Sequence, residues 1–269
     1  MTTTATTASR ARMMLNKVPE VTLYFWVIKI MCTTVGETAA DYLNENLGFG
    51  LANTTYVAGG LLVALLAAQF RLRKYVAPAY WAVVVVISVF GTLITDNMTD
   101  HYNVPLTTST IVFSVVLATV FAAWYASERT LSIHTIVTTR REGFYWLAIL
   151  FTFALGTAAG DLSAEKLDLG YAVSIAIFGG LIAAVAFAHY ALKLNAVLSF
   201  WLAYILTRPL GASIGDEMSQ HSHKYGGLGL GTTGTSYLFL GCILALVAYL
   251  SITRRDATEQ GAAPLPEAA

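Results

Sequence analysis

The sequence is poor in charged residues and in cysteine. Charged residues make up 12% of its 269 residues, about half of the share found in a typical soluble domain. The two cysteines, Cys32 and Cys242, both fall in apolar stretches, which argues against a disulfide framework and against a thiolate metal site. The low charge and the 56% hydrophobic content exclude an ordinary soluble domain and indicate the lipid bilayer as a partner.

Long apolar runs are what the sequence has instead. The runs are continuously apolar rather than alternating, so transmembrane β-strands are not expected. Most approach the roughly 20 residues that cross about 30 Å of hydrocarbon. We therefore predict an all-α membrane protein with eight transmembrane helices. The runs are Val21–Val35, Tyr56–Phe70, Ala79–Leu93, Leu106–Ala126, Phe144–Ala159, Tyr171–Leu192, Ala196–Leu206 and Thr235–Ile252.

The two ends of the chain differ from the apolar middle. Residues 1–18 are polar and rich in Thr, do not resemble a signal peptide, and are predicted to form a cytoplasmic N-terminal segment. Residues 19–255 form a single transmembrane domain. Residues 256–269 are rich in Ala and Pro and are predicted to be a disordered cytoplasmic tail.

One pattern occurs four times within the transmembrane domain. An aromatic residue and a Trp are followed ten residues later by Gly and five residues after that by Asp. The offset that relates Gly36 to Gly156 also relates Asp96 to Asp216, so the halves are themselves duplicated. The repeats cover about 19–75, 76–134, 139–193 and 194–255.

The basic residues predict the orientation. Twelve of the sixteen Lys and Arg fall on one side of an eight-helix arrangement, which by the positive-inside rule places both termini in the cytoplasm. Each repeat has an even number of spans, so all four enter the membrane in the same direction. We expect four parallel two-helix repeats around a pseudo-symmetry axis along the membrane normal.

Carboxylates are predicted to lie at membrane depth. Each repeat Asp is 15 residues beyond its Trp, or roughly 22 Å along a helix, and a further oxygen-bearing side chain follows four residues later. Such groups must face inward, because lipid does not tolerate them, and their oxygens suit a hard divalent cation. The candidate metal ligands are Asp41, Glu45, Asp96, Asp100, Asp161, Glu165, Asp216, Gln220, Glu37 and Glu217, with His101, His221 and His223 as accessory candidates.

The sequence leaves the local geometry of these groups open. If the helix continues, each Asp and the residue four positions later share one face. The glycines could instead break the helix, which membrane proteins tolerate only against protein or a watery cavity. The Asp side chains could also serve only to cap or cross-link the hairpins.

Two basic residues, Lys29 and Arg208, fall inside the apolar runs or next to them. A lone cation there costs roughly 2.5–3.5 kcal/mol on insertion scales, so each needs a reason. We expect Arg208 to pair with Asp216 or another repeat Asp, and Lys29 to act as a coupling group. Internal salt bridges that hold helices together are the alternative for both.

The four Gly…Asp copies carry a resemblance that covers roughly Pro19 to Arg255. The chain resembles a bacterial membrane-protein family defined by a short repeat, domain of unknown function 347, which implies four repeats and no settled activity. Glu37 stands where the family usually has a small residue or Thr, and Thr95 where Gly160 and Gly215 precede the Asp. The matching segments are Gly36…Asp41, Gly91…Asp96, Gly156-Thr157…Gly160-Asp161, Arg208-Pro209-Leu210-Gly211…Gly215-Asp216 and Gly227-Leu228-Gly229-Leu230-Gly231.

The leading functional hypothesis is a transporter of a divalent cation, Mn²⁺-like or Mg²⁺-like, with export as one direction to be considered. The first alternative is a membrane scaffold or sensor whose Asp residues are structural, and the second is a proton-coupled carrier of an organic solute. We expect no enzyme activity, no resident cofactor and no nucleic-acid partner. The sequence does not fix the oligomeric state.

Overall fold

The computed structural model describes residues 16–221 and 227–256, without the side chains of Glu45 and Glu165. These residues form eight α-helices and no strand, which confirms the all-α prediction for the described part of the chain. The helices are α1 (Leu23–Asp41), α2 (Leu51–Arg71), α3 (Ala77–Asp96), α4 (Leu106–Glu128), α5 (Thr139–Asp161), α6 (Tyr171–Leu192), α7 (Ala196–Ser219) and α8 (Gly231–Thr253).

The odd-numbered helices extend beyond the apolar runs. Their last turns contain Thr, Gly and Asp, which lower the hydropathy but do not end the helix. The repeat glycines therefore do not break the backbone, and α7 continues through Pro209. Side chains cap three of the four N-termini: Thr22 accepts from Phe25 N, Thr138 from Arg141 N, and Asn195 from Val197 N, which satisfies amide groups that the helix leaves unpaired.

Seven of the eight described helices are long and apolar enough to cross a membrane. The eighth, α1, is not among them, because its 19 residues include Lys29 and Glu37. The prediction of eight spanning helices is thus supported for seven.

The helices form an inner and an outer layer. Contacts join α1 to α3, α3 to α5, α5 to α7 and α7 back to α1, so the four inner helices make a closed ring. In the most apolar 18-residue stretch of α3, α5 and α7, about 61% of the residues are buried. The corresponding share for α2, α4, α6 and α8 is 17–28%. The polar groups on the inner helices are therefore shielded from whatever surrounds the outer layer.

Each outer helix packs on the inner helix of the following repeat. The main contacts of α2 are with α3, those of α4 with α5, those of α6 with α7, and those of α8 with α1. A two-helix repeat is thus a unit of sequence but not of packing. The last contact, α8 on α1, closes the ring between the two ends of the chain.

The repeat glycines allow the inner helices to approach closely at equivalent positions. A methyl group on each would overlap the residue three before the next repeat glycine: Gly36 meets Ser88, Gly91 meets Phe153, Gly156 meets Arg208, and Gly211 meets Thr33. The fourfold repetition of one contact gives the ring its internal symmetry. Gly60, Gly180 and Gly241 on the outer helices have nothing within 4 Å of such a methyl.

The inner helices end differently in the first three repeats and in the fourth. After Asp41, Asp96 and Asp161 the chain continues as one turn of π-helix, whereas α7 ends at Ser219. Residues 228–230 fold back onto the end of α7, with Leu228 N donating to Glu217 O and Gly229 N to Gln220 O.

The opposite end of the ring is closed by the segments before α1 and after α8. Lys17 is buried and its Nζ lies 2.6 Å from Glu142 Oε2, while Glu20 N donates to Asp256 O. Asp256 is only 2% exposed and accepts from the Tyr75 hydroxyl at 2.5 Å. Asp256, the first residue of the predicted disordered tail, is thus held in place by hydrogen bonds. The rest of that tail, residues 257–269, lies outside the described residues.

Candidate functional site

Every fourth residue of each inner helix contributes to one level of a buried column. Counted from the repeat glycine, the positions are −11, −7, −3, +1 and +5, a spacing that keeps side chains on one helix face. The first four levels are buried in all four helices. In each level the residues are given in the order α1, α3, α5 and α7: Phe25, Tyr80, Tyr145 and Phe200 at −11; Lys29, Val84, Ile149 and Tyr204 at −7; Thr33, Ser88, Phe153 and Arg208 at −3; Glu37, Thr92, Thr157 and Ala212 at +1; and Asp41, Asp96, Asp161 and Asp216 at +5.

Arg208 joins all four inner helices at the +1 level. Its Nη2 donates to Glu37 Oε2 at 2.9 Å, to Thr157 Oγ1 at 2.6 Å and to Thr92 Oγ1. Its Nη1 donates to Thr33 O at 3.1 Å. The side chain is fully buried, and Gly156 leaves the space that its Cβ and Cγ occupy.

The prediction that Arg208 pairs with a repeat Asp is wrong, although Arg208 does pair with a carboxylate. The guanidinium instead pairs with Glu37, which is 6% exposed. An Arg side chain at position −3 extends only to the +1 level, where Glu37 is the sole carboxylate, whereas Asp216 lies on the same helix one level further. The alternative of an internal salt bridge between helices describes Arg208 correctly.

Lys29 has a different environment. Its Nζ lies 4.2 Å from the ring centres of both Phe153 and Tyr204, in the geometry of a cation–π contact. It is fully buried, and Nζ has no hydrogen-bond partner among the described residues. The salt bridge considered as an alternative for Lys29 is therefore not formed with any described side chain.

Three carboxylates converge beside the Arg208 network. One oxygen each of Glu37, Asp161 and Asp216 lies within 4.8 Å of the others, and Asp216 is 8% exposed. Three oxygens at this separation can be drawn onto one divalent cation by small side-chain movements. The residues come from α1, α5 and α7, so they are separated widely in the sequence.

Asp41 and Asp96 are at the same level as this cluster and are half-buried. The carboxylate of Asp96 interacts electrostatically with Glu37, Asp41 and Asp161. The four repeat Asp residues and Glu37 thus form one acidic region, which becomes more exposed toward the ends of the inner helices.

The second oxygen-bearing residue of each repeat is placed less uniformly than predicted. Asp100 and His101 are exposed on a π-turn, so Asp100 does not share the burial of Asp96. Gln220 is half-buried but lies beyond the end of α7, because that helix stops at Ser219. Glu217 is half-buried and His221 exposed. The side chains of Glu45 and Glu165, and all of His223, lie outside the described residues.

The sequence reasoning missed the hydroxyl groups that hold Arg208. Thr92 and Thr157 occupy the position after the repeat glycine, the position that Glu37 has in the first repeat. Comparing the four copies at that position, rather than only at the Asp, could have identified them. Nothing in the sequence pattern indicates that Phe153 and Tyr204 would enclose Lys29.

The protein is thus a four-repeat helical bundle whose charged core lies off centre. Three features define this class: the ring of four inner helices, the column with one level per helical turn, and the glycine contact that occurs in all four repeats. The chain belongs to the family described as a repeat of unknown function (DUF347), whose model matches residues 24–75, 79–130, 144–195 and 199–256. The predicted membership of this four-repeat family is thereby confirmed. No curated protein and no solved structure matches the chain.

Proposed function

We propose that all eight helices cross a bacterial inner membrane, with the repeats parallel around an axis along the membrane normal and both termini in the cytoplasm. Seven apolar helices and the closed contact ring support this arrangement. In it, α1 spans the membrane although it is not apolar enough by itself, because the other inner helices and α8 cover its polar face. The acidic region then faces the exterior and the Lys17–Glu142 end faces the cytoplasm.

We further propose that the protein transports a divalent cation of the Mg²⁺ or Mn²⁺ type. The observation that carries the proposal is the convergence of Glu37, Asp161 and Asp216 within 4.8 Å on the inner face of the ring. Carboxylates at such a distance repel one another unless a cation or protons neutralise them. Carboxylate oxygens are the ligands that these hard cations prefer.

Arg208 gives the proposed transport a gate. Glu37 serves both the carboxylate cluster and the guanidinium, so a cation that binds Glu37 competes with Arg208 for the same oxygens. Beyond Arg208 the column is filled by Lys29, Tyr204 and the aromatic level, and passage toward the cytoplasm requires the guanidinium to move aside. An unloaded site is held closed by the Glu37–Arg208 pair.

The test is cation flux into proteoliposomes that contain purified protein and an internal metal-sensitive dye. The double variant Asp161→Asn, Asp216→Asn is expected to lose at least tenfold of the wild-type flux, because it removes two of three charged ligands while preserving side-chain size. Asp168→Asn, which neutralises an exposed carboxylate near the same end outside the candidate ligand set, is the matched control and should retain its flux. Equal flux in all three proteins, each correctly folded, would refute the proposal.

The non-transporting scaffold is the second candidate, and the Arg208 network is the observation that favours it. One guanidinium tied to Glu37, Thr92, Thr157 and Thr33 O is a sufficient structural reason for a buried charge. This alternative predicts that the Asn variants lower the melting temperature and that no divalent cation raises it.

The proton-coupled carrier of an organic solute has weaker support. It would need a roomy pocket near the middle of the membrane. The cavity of about 440 Å³ lies instead toward the Lys17–Glu142 end, between α1, the ends of α6 and α7, and residues 131–134, with Trp26, His134 and His189 among its lining residues.

A further inference from the structure

Lys29 is the buried ionisable group that the carboxylate site does not use. The charged and titratable groups around it are Cys32 on its own helix and Tyr204 and Arg208 on α7. At its level α3 and α5 contribute Val84, Ile149 and Phe153, which are apolar. The two tyrosines of α8 that face α1, Tyr237 and Tyr249, contact Tyr42 and Tyr24 at the two ends of that helix.

Lys29 therefore has no carboxylate to compensate its charge, and the nearest cation, Arg208, repels it. An uncompensated buried ammonium is costly, and so is a buried donor without an acceptor. The two aromatic faces at 4.2 Å offset part of this cost. The balance between the ammonium and the neutral amine is thus sensitive to any charge that arrives at the neighbouring Glu37.

Tyrosine hydroxyl groups extend from Lys29 toward the other end of the ring. Tyr204, whose ring faces Lys29, is an electrostatic neighbour of Tyr145, and the Tyr145 and Tyr80 hydroxyls lie 2.5 Å apart. The Tyr80 ring contacts that of Tyr75 at 5.7 Å between centres. The Tyr75 hydroxyl donates to Asp256 at 2.5 Å, so four hydroxyls lie between the level of Lys29 and a carboxylate at the terminal face. Direct hydrogen bonds are formed at the Tyr145–Tyr80 and Tyr75–Asp256 steps, whereas the Tyr204 hydroxyl has no hydrogen-bond partner among the described residues.

The hydroxyls are not a general property of the repeat. At the aromatic level, repeats two and three have Tyr80 and Tyr145, whereas repeats one and four have Phe25 and Phe200. Packing alone would be served by Phe at all four positions. The two hydroxyls are found where they contact each other, and Tyr204 brings the third from the next level.

We propose that Lys29 is a proton-binding site that counters the cation, and that Tyr204, Tyr145, Tyr80 and Tyr75 form its proton path to Asp256. This proposal rests on the proposed cation transport and adds that cation binding releases a proton on the side of Asp256.

The proton transfer changes no oxidation state. The Lys29 ammonium gives one proton to the Tyr204 hydroxyl while that hydroxyl passes its own proton onward. The same displacement occurs at Tyr145, Tyr80 and Tyr75, and Asp256 accepts the last proton and releases it to water. The flexible four-carbon stem of Lys29 lets Nζ move from the ring face to the ring edge, and the proposed path needs a water molecule wherever two hydroxyls are not in direct contact.

The cation and the proton exclude each other electrostatically. A divalent cation at Glu37 displaces the Arg208 guanidinium and adds two positive charges roughly two helical turns from Lys29. The proton on Lys29 is then driven along the hydroxyls toward Asp256. When the cation leaves, the proton returns, so one site is loaded while the other is empty.

The proton site is tested first in detergent, without transport. In protein labelled with ¹⁵N-lysine, the Lys29 signal is assigned by its loss in Lys29→Arg. We expect added Mg²⁺ to shift this signal from the ammonium toward the amine position. The double variant Tyr80→Phe, Tyr145→Phe keeps both rings and should slow proton exchange at Lys29 at least tenfold, whereas Tyr190→Phe, on the exposed outer surface, should not. A Lys29 signal that ignores Mg²⁺ and pH overturns the proposal.

The coupling is tested in proteoliposomes with separate dyes for metal and for protons. In wild-type vesicles cation loading is expected to drive a proton flux out of the site toward the Asp256 side, and Lys29→Leu and the double Phe variant should lose at least tenfold of that proton flux. Cation flux with proton flux unchanged in both variants overturns the proton path and leaves the transport proposal intact. A Lys29 that responds to Mg²⁺ in detergent, with no cation flux in vesicles, supports the proton site and refutes transport.

Discussion

The first and fourth inner helices differ from the second and third in the chemistry of the same positions. At the four levels that precede the repeat Asp, α1 and α7 carry Lys29, Glu37 and Arg208, whereas α3 and α5 carry hydroxyls and apolar groups. The backbone contacts are nevertheless the same in all four, because each repeat glycine meets the same position of the next helix. Duplication has therefore preserved the packing, while charge at the levels that precede the repeat Asp is confined to one adjacent pair of helices.

This division separates two roles. The charged pair supplies ions, and the hydroxyl pair supplies acceptors, through Thr92 and Thr157, for the guanidinium that comes from α7. A perfectly fourfold core would place four like groups on the axis, where they would repel one another. The unequal copies allow one Arg to meet one Glu.

Replacing Arg208, which removes the cation of the Glu37–Arg208 ion pair, should lower the stability of the protein most. Arg208→Met leaves Glu37 buried without its partner, which typically destabilises a protein by about 3–5 kcal/mol. Thermal unfolding in detergent measures the loss. The double variant Glu37→Gln, Arg208→Met removes both charges and should recover a large part of the stability, as a double-mutant cycle would quantify. If Arg208→Met melts like the wild type, the charged pair is not the structural centre of the ring.

A methyl group placed between α3 and α5 tests whether these two helices depend on the same close packing as α1 and α7. Gly91→Ala would overlap Phe153 Cβ and should cost about 1–3 kcal/mol. Gly180→Ala adds the same methyl on the exposed side of α6, where nothing lies within 4 Å, and should be neutral or stabilising by up to about 1 kcal/mol. Chemical denaturation of the two variants should therefore give opposite signs, and equal effects would contradict the glycine contact.

A single hydroxyl should contribute less than the ion pair. Thr157→Val keeps the shape but removes the acceptor that Arg208 Nη2 meets at 2.6 Å, with an expected loss of about 1–2 kcal/mol. Thr119→Val on the exposed face of α4, where the hydroxyl bonds only to Val115 O, is the matched control and should change the unfolding free energy by less. Indistinguishable variants would mean that Thr157 is not needed to hold the guanidinium.

The smallest effect concerns the terminal face and depends on pH. Burial raises the pKa of Tyr75, and the hydrogen bond to Asp256 raises it further. The unfolded chain releases this phenolic proton from about pH 10, so the contribution to stability is complete below pH 10 and is lost as the pH rises above it. The wild type should lose up to about 1.4 kcal/mol more per pH unit than Tyr75→Phe. Unfolding at pH 8, 10 and 11 measures this, and parallel losses would contradict it.

The fold was largely accessible from the sequence because hydropathy and repetition both report on it. The apolar runs located the eight helices, and the spacing of Trp, Gly and Asp placed equivalent positions on equivalent helices. The ends of α1 and α7 were underestimated, since Thr and Asp in a buried helix lower hydropathy without ending it. The packing of α2 on α3 rather than on α1 was not predictable, because loops of a few residues permit either neighbour.

The site was accessible only in part. The repeated Asp residues pointed to the right end of the inner helices, and Glu37 and Arg208 stood out as departures from the repeat. Their pairing could not be read from the sequence, because it depends on how far each side chain reaches along the column. The enclosure of Lys29 by Phe153 and Tyr204 depends on which helix follows which around the ring, and a linear pattern carries no such order.

Because α8 packs on α1, we expect the chain to tolerate new termini between its repeats. In a closed ring no repeat is structurally the first, and Glu20 and Asp256 are already joined by a backbone hydrogen bond. A circular permutant whose old ends are linked there and whose new ends lie in residues 129–138 would keep every helix neighbour. By the same reasoning, two separately expressed halves should find each other in a membrane, because each half alone leaves one outer helix without the inner helix it packs on.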